Sequence, residues 1–126
     1  MKNTMKFAAL LTALLIAAPL FAQKVNEKQM TRAKDRIENM CQTVKVDDAT
    51  KQKAVDLTYN VFAENGKLDA QKKKSELSED DYKAAVKKNT DEYWKNLQSL
   101  MPKDQLAAYK AWKSIPGKER DAAPNK

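Results

Sequence analysis

Few residues in this 126-residue chain are equipped for chemistry. Histidine is absent and Cys41 is the only cysteine, which removes the commonest general base and the commonest transition-metal ligand. Neither a structural zinc site nor a Cys–His nucleophile can be assembled within one such chain. The only glycines are Gly66 and Gly117, so there is no glycine-rich phosphate loop. The acidic clusters Asp47-Asp48 and Glu79-Asp80-Asp81 remain to be considered. Both open helical patterns, where capping and the helix dipole account for them without a metal or an acid–base pair. No catalytic residue, metal or cofactor is expected.

The residues left to consider are those that bind. Trp94 lies beside the apolar face of its segment, with Lys83 and Lys87 on the same flank, a combination suited to unfolded or acidic polypeptide. The equally plain alternative is packing on a neighbouring helix under lysine stems. Trp112 is a weaker candidate of the same kind. Val55, Tyr59 and Phe62 form a second apolar stripe beside Ala54, Leu57 and Val61. A helix apolar over two stripes packs against two neighbours, or offers one stripe to a partner. Lys72, Lys73 and Lys74 make either a solvated turn or a basic tip that recruits acidic partners. Cys41, on the edge of an apolar stripe, is expected to pack as a small hydrophobe, with an intermolecular disulfide as the sharper alternative.

Four helical patterns must position these residues. Asn26, with Gln29 three residues on and Val25 available to staple to Met30, opens the first. Its stripe is Met30, Ala33, Ile37, Met40, Cys41 and Val44, with Lys28, Asp35, Asn39 and Gln42 facing away. Val46-Asp47 opens the second, and Asn65-Gly66 is expected to end it with Gly66 in the left-handed position. In Lys67 to Glu76, Asp69 could cap a short helix, but Lys72-Lys73-Lys74 gives no apolar face, and a solvated loop or frayed helical turn is expected. The third pattern is the clearest. Ser78 caps it, Leu77 and Tyr82 can form a staple, and Tyr82, Ala85, Val86, Asn89, Tyr93, Leu97 and Leu100 share one face. Pro102 ends it near Leu100 and is placed at the first position of a short fourth helix carrying Leu106, Tyr109 and Trp112. No segment alternates at period two, so the expected fold is all-α: about four amphipathic helices in a small antiparallel hairpin or bundle.

Residues 1–22 stand apart. Lys2 and Lys6, the apolar run Phe7–Leu20 and the small residue Ala22 read as a secretory signal peptide cleaved before Gln23. Export to the periplasm follows as an expectation, with no stable membrane insertion after cleavage. Removing Lys2 and Lys6 lowers the basic count from 24 to 22 against 17 acids, a net charge of +5 instead of +7. Residues 23–113 then form the helical domain and 114–126 a disordered polar tail. Acids alternate with lysines on most helices, which argues against nucleic acid as a partner.

Two of the helix starts carry a resemblance. Val46-Asp47-Asp48-Ala49-Thr50-Lys51-Gln52 and Leu100-Met101-Pro102-Lys103-Asp104-Gln105 each place an apolar residue, a turn and a nearby Gln at a helix opening. In this the chain resembles the small exported helical proteins of the Spy/CpxP-like class, known for LTxxQ motifs. The motifs are degenerate here, with Asp47 and Met101 at the Thr positions and Gln52 and Gln105 displaced. The resemblance implies an ATP-independent chaperone-like or envelope-stress protein, often a homodimer shaped as a shallow cradle. Its polypeptide clients would meet a face combining apolar side chains with positive charge. An envelope adaptor or sensor-modulating protein that recognises one folded partner is the alternative.

Overall fold

The computed structural model describes residues 26–124; the signal-peptide reading, the Val25 staple and the last two residues lie outside them. Among the described residues the chain is all-α, with no strand. Helix α1 spans Glu27–Met40, α2 Asp48–Lys73 and α3 Glu79–Ser99. A 3-10 turn at Lys103–Gln105 leads into α4, Leu106–Lys113, and a single helical turn, α5, covers Gly117–Arg120.

Each long helix starts on the residue its capping chemistry selects. The Asn26 side chain accepts from the Gln29 amide at 3.1 Å, Asp47 from Thr50 at 2.7 Å and Ser78 from Asp81 at 3.1 Å. Each satisfies one of the amides that a helix start leaves without an intrahelical partner. The Thr50 bond also holds the Asp47 carboxyl below its ordinary pKa, because the bond favours the ionised form.

Helix α2 lies between α1 and α3, antiparallel to both, which explains why it is apolar on two sides. Three bonds fix the register: the Asn26 amide donates to the Tyr59 hydroxyl, Asn89 bonds Asn65, and Tyr93 pairs with Thr58. The core gathers Ala33, Ile37, Met40 and Val44 with Ala54, Val55, Val61, Tyr93, Leu97, Met101, Tyr109 and Trp112. Thr58 is buried within it. Its hydroxyl donates to the Ala54 carbonyl at 2.7 Å. Having a single proton, it must accept from the Tyr93 hydroxyl at 2.8 Å.

Four expectations are corrected. Gly66 does not end α2; the helix continues to Lys73, and no glycine adopts a positive φ among the described residues. Gly66 sits where α1 approaches, and a Cβ there would lie 2.9 Å from the Gln29 side-chain nitrogen Nε2, which donates to the Phe62 carbonyl. The left-handed position belongs instead to Ser75, at φ 62°. Its amide donates to the Lys72 carbonyl and that of Glu76 to Gln71, the paired bonds of a Schellman cap. The Lys67–Glu76 stretch is therefore helical as far as Lys73, held by pairing with α3 and by an ion pair between Lys73 and Asp69.

The third correction concerns Pro102, which precedes the 3-10 turn instead of occupying the first position of α4. The fourth concerns the chain from Ser114 onward. Where a disordered tail is expected, Gly117–Arg120 forms a helical turn and Asp121 an ion pair with Arg36. Side-chain contacts from α1 supply an order that composition does not announce.

Between Phe62 and Glu92 no residue is buried. Helix α1 begins beside Gly66, so the last turns of α2 and the first turns of α3 pack only on each other among the described residues, as a two-helix arm. At its tip the Lys72 ammonium meets Glu79 at 2.7 Å and lies over the Tyr82 ring. That pairing raises the Lys72 pKa and lowers that of Glu79. No helix among the described residues is long and apolar enough to cross a membrane.

Candidate functional site

Of the sequence-predicted binding residues, only Phe62 and Trp94 come together. Val55 is only 4% exposed and belongs to the core. Tyr59 is half-buried, with its hydroxyl committed to the Asn26 amide. Lys83 and Lys87 are exposed and paired along their own helix, with Glu79 at 3.7 Å and Asp91 at 2.6 Å. They stand three and two turns from Trp94, on the order of 16 and 10 Å along the axis, and do not cover it. The basic tip is also partly neutralised: Lys72 pairs with Glu79 and Lys73 with Asp69, while Lys74 caps α2 through its backbone.

Trp94 and Phe62 instead share a surface with cations from other elements. The chain has only three arginines, Arg32, Arg36 and Arg120, and all three stack on this cluster. The Arg32 and Arg36 guanidinium carbons lie 4.5 and 4.7 Å from the centre of the Phe62 ring. Arg36 also lies 5.6 Å from the rings of Tyr93 and Trp94. Arg120 sits 4.8 Å from the Trp94 ring and 5.8 Å from that of Trp112, and the Lys113 ammonium 5.1 Å from Trp94. Trp94 meets Tyr93 at 4.8 Å and the edge of Trp112 at 6.2 Å. Planar guanidinium groups stack on aromatic faces in a way that lysine does not reproduce, which gives the arginine distribution its meaning.

Local structure explains the gathering. Arg32 and Arg36 are one turn apart on α1, flanking the buried Ala33 and Ile37, so Arg32 is held against α2 and Arg36 against α2 and α3. Arg36 is 9% exposed. Burial works against its charge, but a bidentate bond to Asp121 at 2.7 and 3.0 Å, with Tyr93 beside it, raises its pKa above the ordinary value. Asn39, expected to face away, is half-buried. It accepts from the Trp112 indole N–H at 2.9 Å and donates to the carbonyls of Glu119 and Ala122 at 2.9 and 3.0 Å. No known protein family, curated protein or solved structure matches this chain.

Other surfaces are less organised. A groove of about 360 Å³ between α1 and the start of α2 is lined by Lys34, Glu38, Asp48, Lys51, Gln52 and Val55, charges of both signs that largely offset one another. Among the described residues no three His, Cys, Asp or Glu side chains are arranged to hold a metal. Cys41 is half-buried against the core, and burial pushes its thiol pKa up despite the nearby Lys51 and Lys45. A thiol in that state is a poor nucleophile.

The motif-like helix starts have positioning roles. Val46 packs on the core beside the capping Asp47, while Gln52 is exposed and donates to Asp56. Leu100 and Met101 pack inward, with Pro102 exposed after them. The Gln105 side-chain oxygen accepts from the Lys45 amide at 2.8 Å, joining the start of α4 to the α1–α2 connection. Sequence reasoning missed Arg32, Arg36, Asn39, Lys113, Arg120 and Asp121. One signal was readable: three arginines in an otherwise lysine-based chain, two of them spaced one helical turn apart.

Proposed function

We propose that this is an exported, periplasmic helical protein that holds unfolded or stress-exposed polypeptide without ATP, in the manner of the Spy/CpxP-like class. The observation that carries the proposal is the surface around Trp94. A half-buried indole and the Phe62 ring lie there among Arg32, Arg36, Lys113 and Arg120, with Asp121 the carboxylate that reaches Arg36. Aromatic faces of this kind give contact area to apolar segments, and the surplus positive charge attracts acidic ones. Such a role requires no catalytic centre and no cofactor.

The test is suppression of light scattering from a denatured or reduced client by near-stoichiometric mature protein. Suppression by the natural chain, reduced in Trp94→Ala, is the expected result. No suppression across several clients removes the proposal. A second reading, an adaptor for one folded envelope partner, is favoured by the two-helix arm. Its half-buried Leu68, Leu77, Tyr82, Ala85 and Val86 lie outside the core cluster. A single dominant protein captured by the natural chain, and lost with Val86→Asp, would select that reading.

A further inference from the structure

The segment from Gly117 to Ala122 contributes no buried residue and its helix is a single turn. One turn cannot persist on its own hydrogen bonds, so contacts with the rest of the chain hold it. Those contacts have the form of peptide recognition. Arg120 lies across Trp94 and Trp112, and its Nη1 donates to the Lys113 carbonyl at 2.6 Å. Asp121 takes both bonds from Arg36. Asn39 uses one amide nitrogen to hold the carbonyls of Glu119 and Ala122, and the Trp112 indole fixes the orientation of that amide. Backbone carbonyls are thus read independently of sequence, while the Arg–Asp pair is read by side chains. The receptor side, Arg36, Asn39, Trp94 and Trp112, belongs to α1, α3 and α4 and is positioned by the core.

We infer that Arg36, Asn39, Trp94 and Trp112 form a binding site for a single-turn polypeptide segment carrying arginine followed by aspartate, and that the chain's own Glu119–Ala122 occupies it in cis. The inference rests on the reading that the protein binds polypeptide, and it names the place and the segment. The resident segment fits imperfectly. Arg120 Nε is buried with no hydrogen-bond partner, a cost that an incoming segment with a better-placed acceptor would avoid. The connection Ser114–Pro116 ties the segment to α4 and keeps its effective concentration at the site high. External peptide therefore binds the natural chain weakly, by the fraction of molecules whose site is open.

The experiment uses the full mature chain and a synthetic peptide of residues 117–124. In the double variant Arg120→Ala, Asp121→Ala the resident segment loses its side-chain anchors while the receptor is intact. Tryptophan fluorescence of this variant is expected to change saturably with the peptide, with an affinity about tenfold or more above that of the natural chain. A peptide carrying the Asp121→Asn change, or a receptor carrying Arg36→Gln as well, is expected to lose most of that response. No saturable response, equal affinity for the natural chain, or indifference to both changes would overturn the inference. Hydrogen exchange on the natural chain supplies a readout that does not depend on any variant. The Arg120, Asp121 and Ala122 amides are expected to exchange through local opening, faster than those of α1, and exchange only with global unfolding overturns it. Client aggregation is measured separately. Peptide binding without aggregation suppression would leave this site standing and remove the chaperone reading, and the converse would remove the site alone.

Discussion

The buried Thr58–Tyr93 pair is the most consequential polar contact in the core, because each hydroxyl is satisfied through the other or through the Ala54 carbonyl. Replacing Thr58 by Val leaves the Tyr93 hydroxyl buried without that partner, and the expected loss of stability is about 1–3 kcal/mol. Adding Tyr93→Phe removes the orphaned group, so urea denaturation of the double variant should recover part of the loss. Full additivity of the two substitutions would show that the pair does not couple. Tyr109 supplies a pH signature. Burial, with Tyr93 adding to it and Arg120 opposing, pushes its phenol up to about 12. The folded chain then keeps a proton that the unfolded chain releases near pH 10, so this group's contribution is complete below about pH 10 and lost as pH rises towards the folded value. The phenolate absorbance step near pH 12 is expected to be missing in Tyr109→Phe; its persistence would assign it elsewhere.

At the scale of elements, α2 separates local propensity from tertiary context. Asn65-Gly66 is a good helix stop in isolation, yet α2 runs through it and ends at Lys73. Glycine within a helix costs about 1 kcal/mol relative to alanine, a cost offset here by packing on α1 and α3. Gly66→Ala regains that propensity but pushes on the Gln29 side chain, whose bond to the Phe62 carbonyl is worth roughly as much. The expected net change is within about 0.5 kcal/mol in the natural chain and a gain of about 1 kcal/mol in a Gln29→Ala background, both read from denaturation midpoints. Similar gains in both backgrounds would show that the close approach is harmless. The true end of α2 offers the opposite case. Ser75 holds the left-handed conformation that glycine adopts freely. Ser75→Gly is expected to stabilise the chain by about 0.5–1 kcal/mol, less than the full relief of left-handed strain because glycine also loosens the unfolded chain. Destabilisation would indicate that the Ser75 side chain matters more than its backbone.

On the scale of the whole molecule, stability is concentrated at one end. Leu97 is fully buried among the core residues, while Val86 on the arm is only half-buried and touches none of that cluster. Leu97→Ala is expected to cost about 2–5 kcal/mol and Val86→Ala well under half of that, by thermal or chemical denaturation. Equal costs would mean that the arm is covered by something outside the described residues, such as a second copy. How much of this was readable beforehand follows from the range of each interaction. Helix starts at Asn26, Asp47 and Ser78, the apolar stripes and the all-α class rest on contacts within a few residues, so the sequence by itself determined them. The end of α2, the order of Gly117–Asp121 and the gathering of all three arginines on Phe62, Trp94 and Trp112 join residues up to 85 positions apart. Those were decided only by the tertiary structure, since packing between helices chooses which cation meets which ring, and no local spacing encodes that choice.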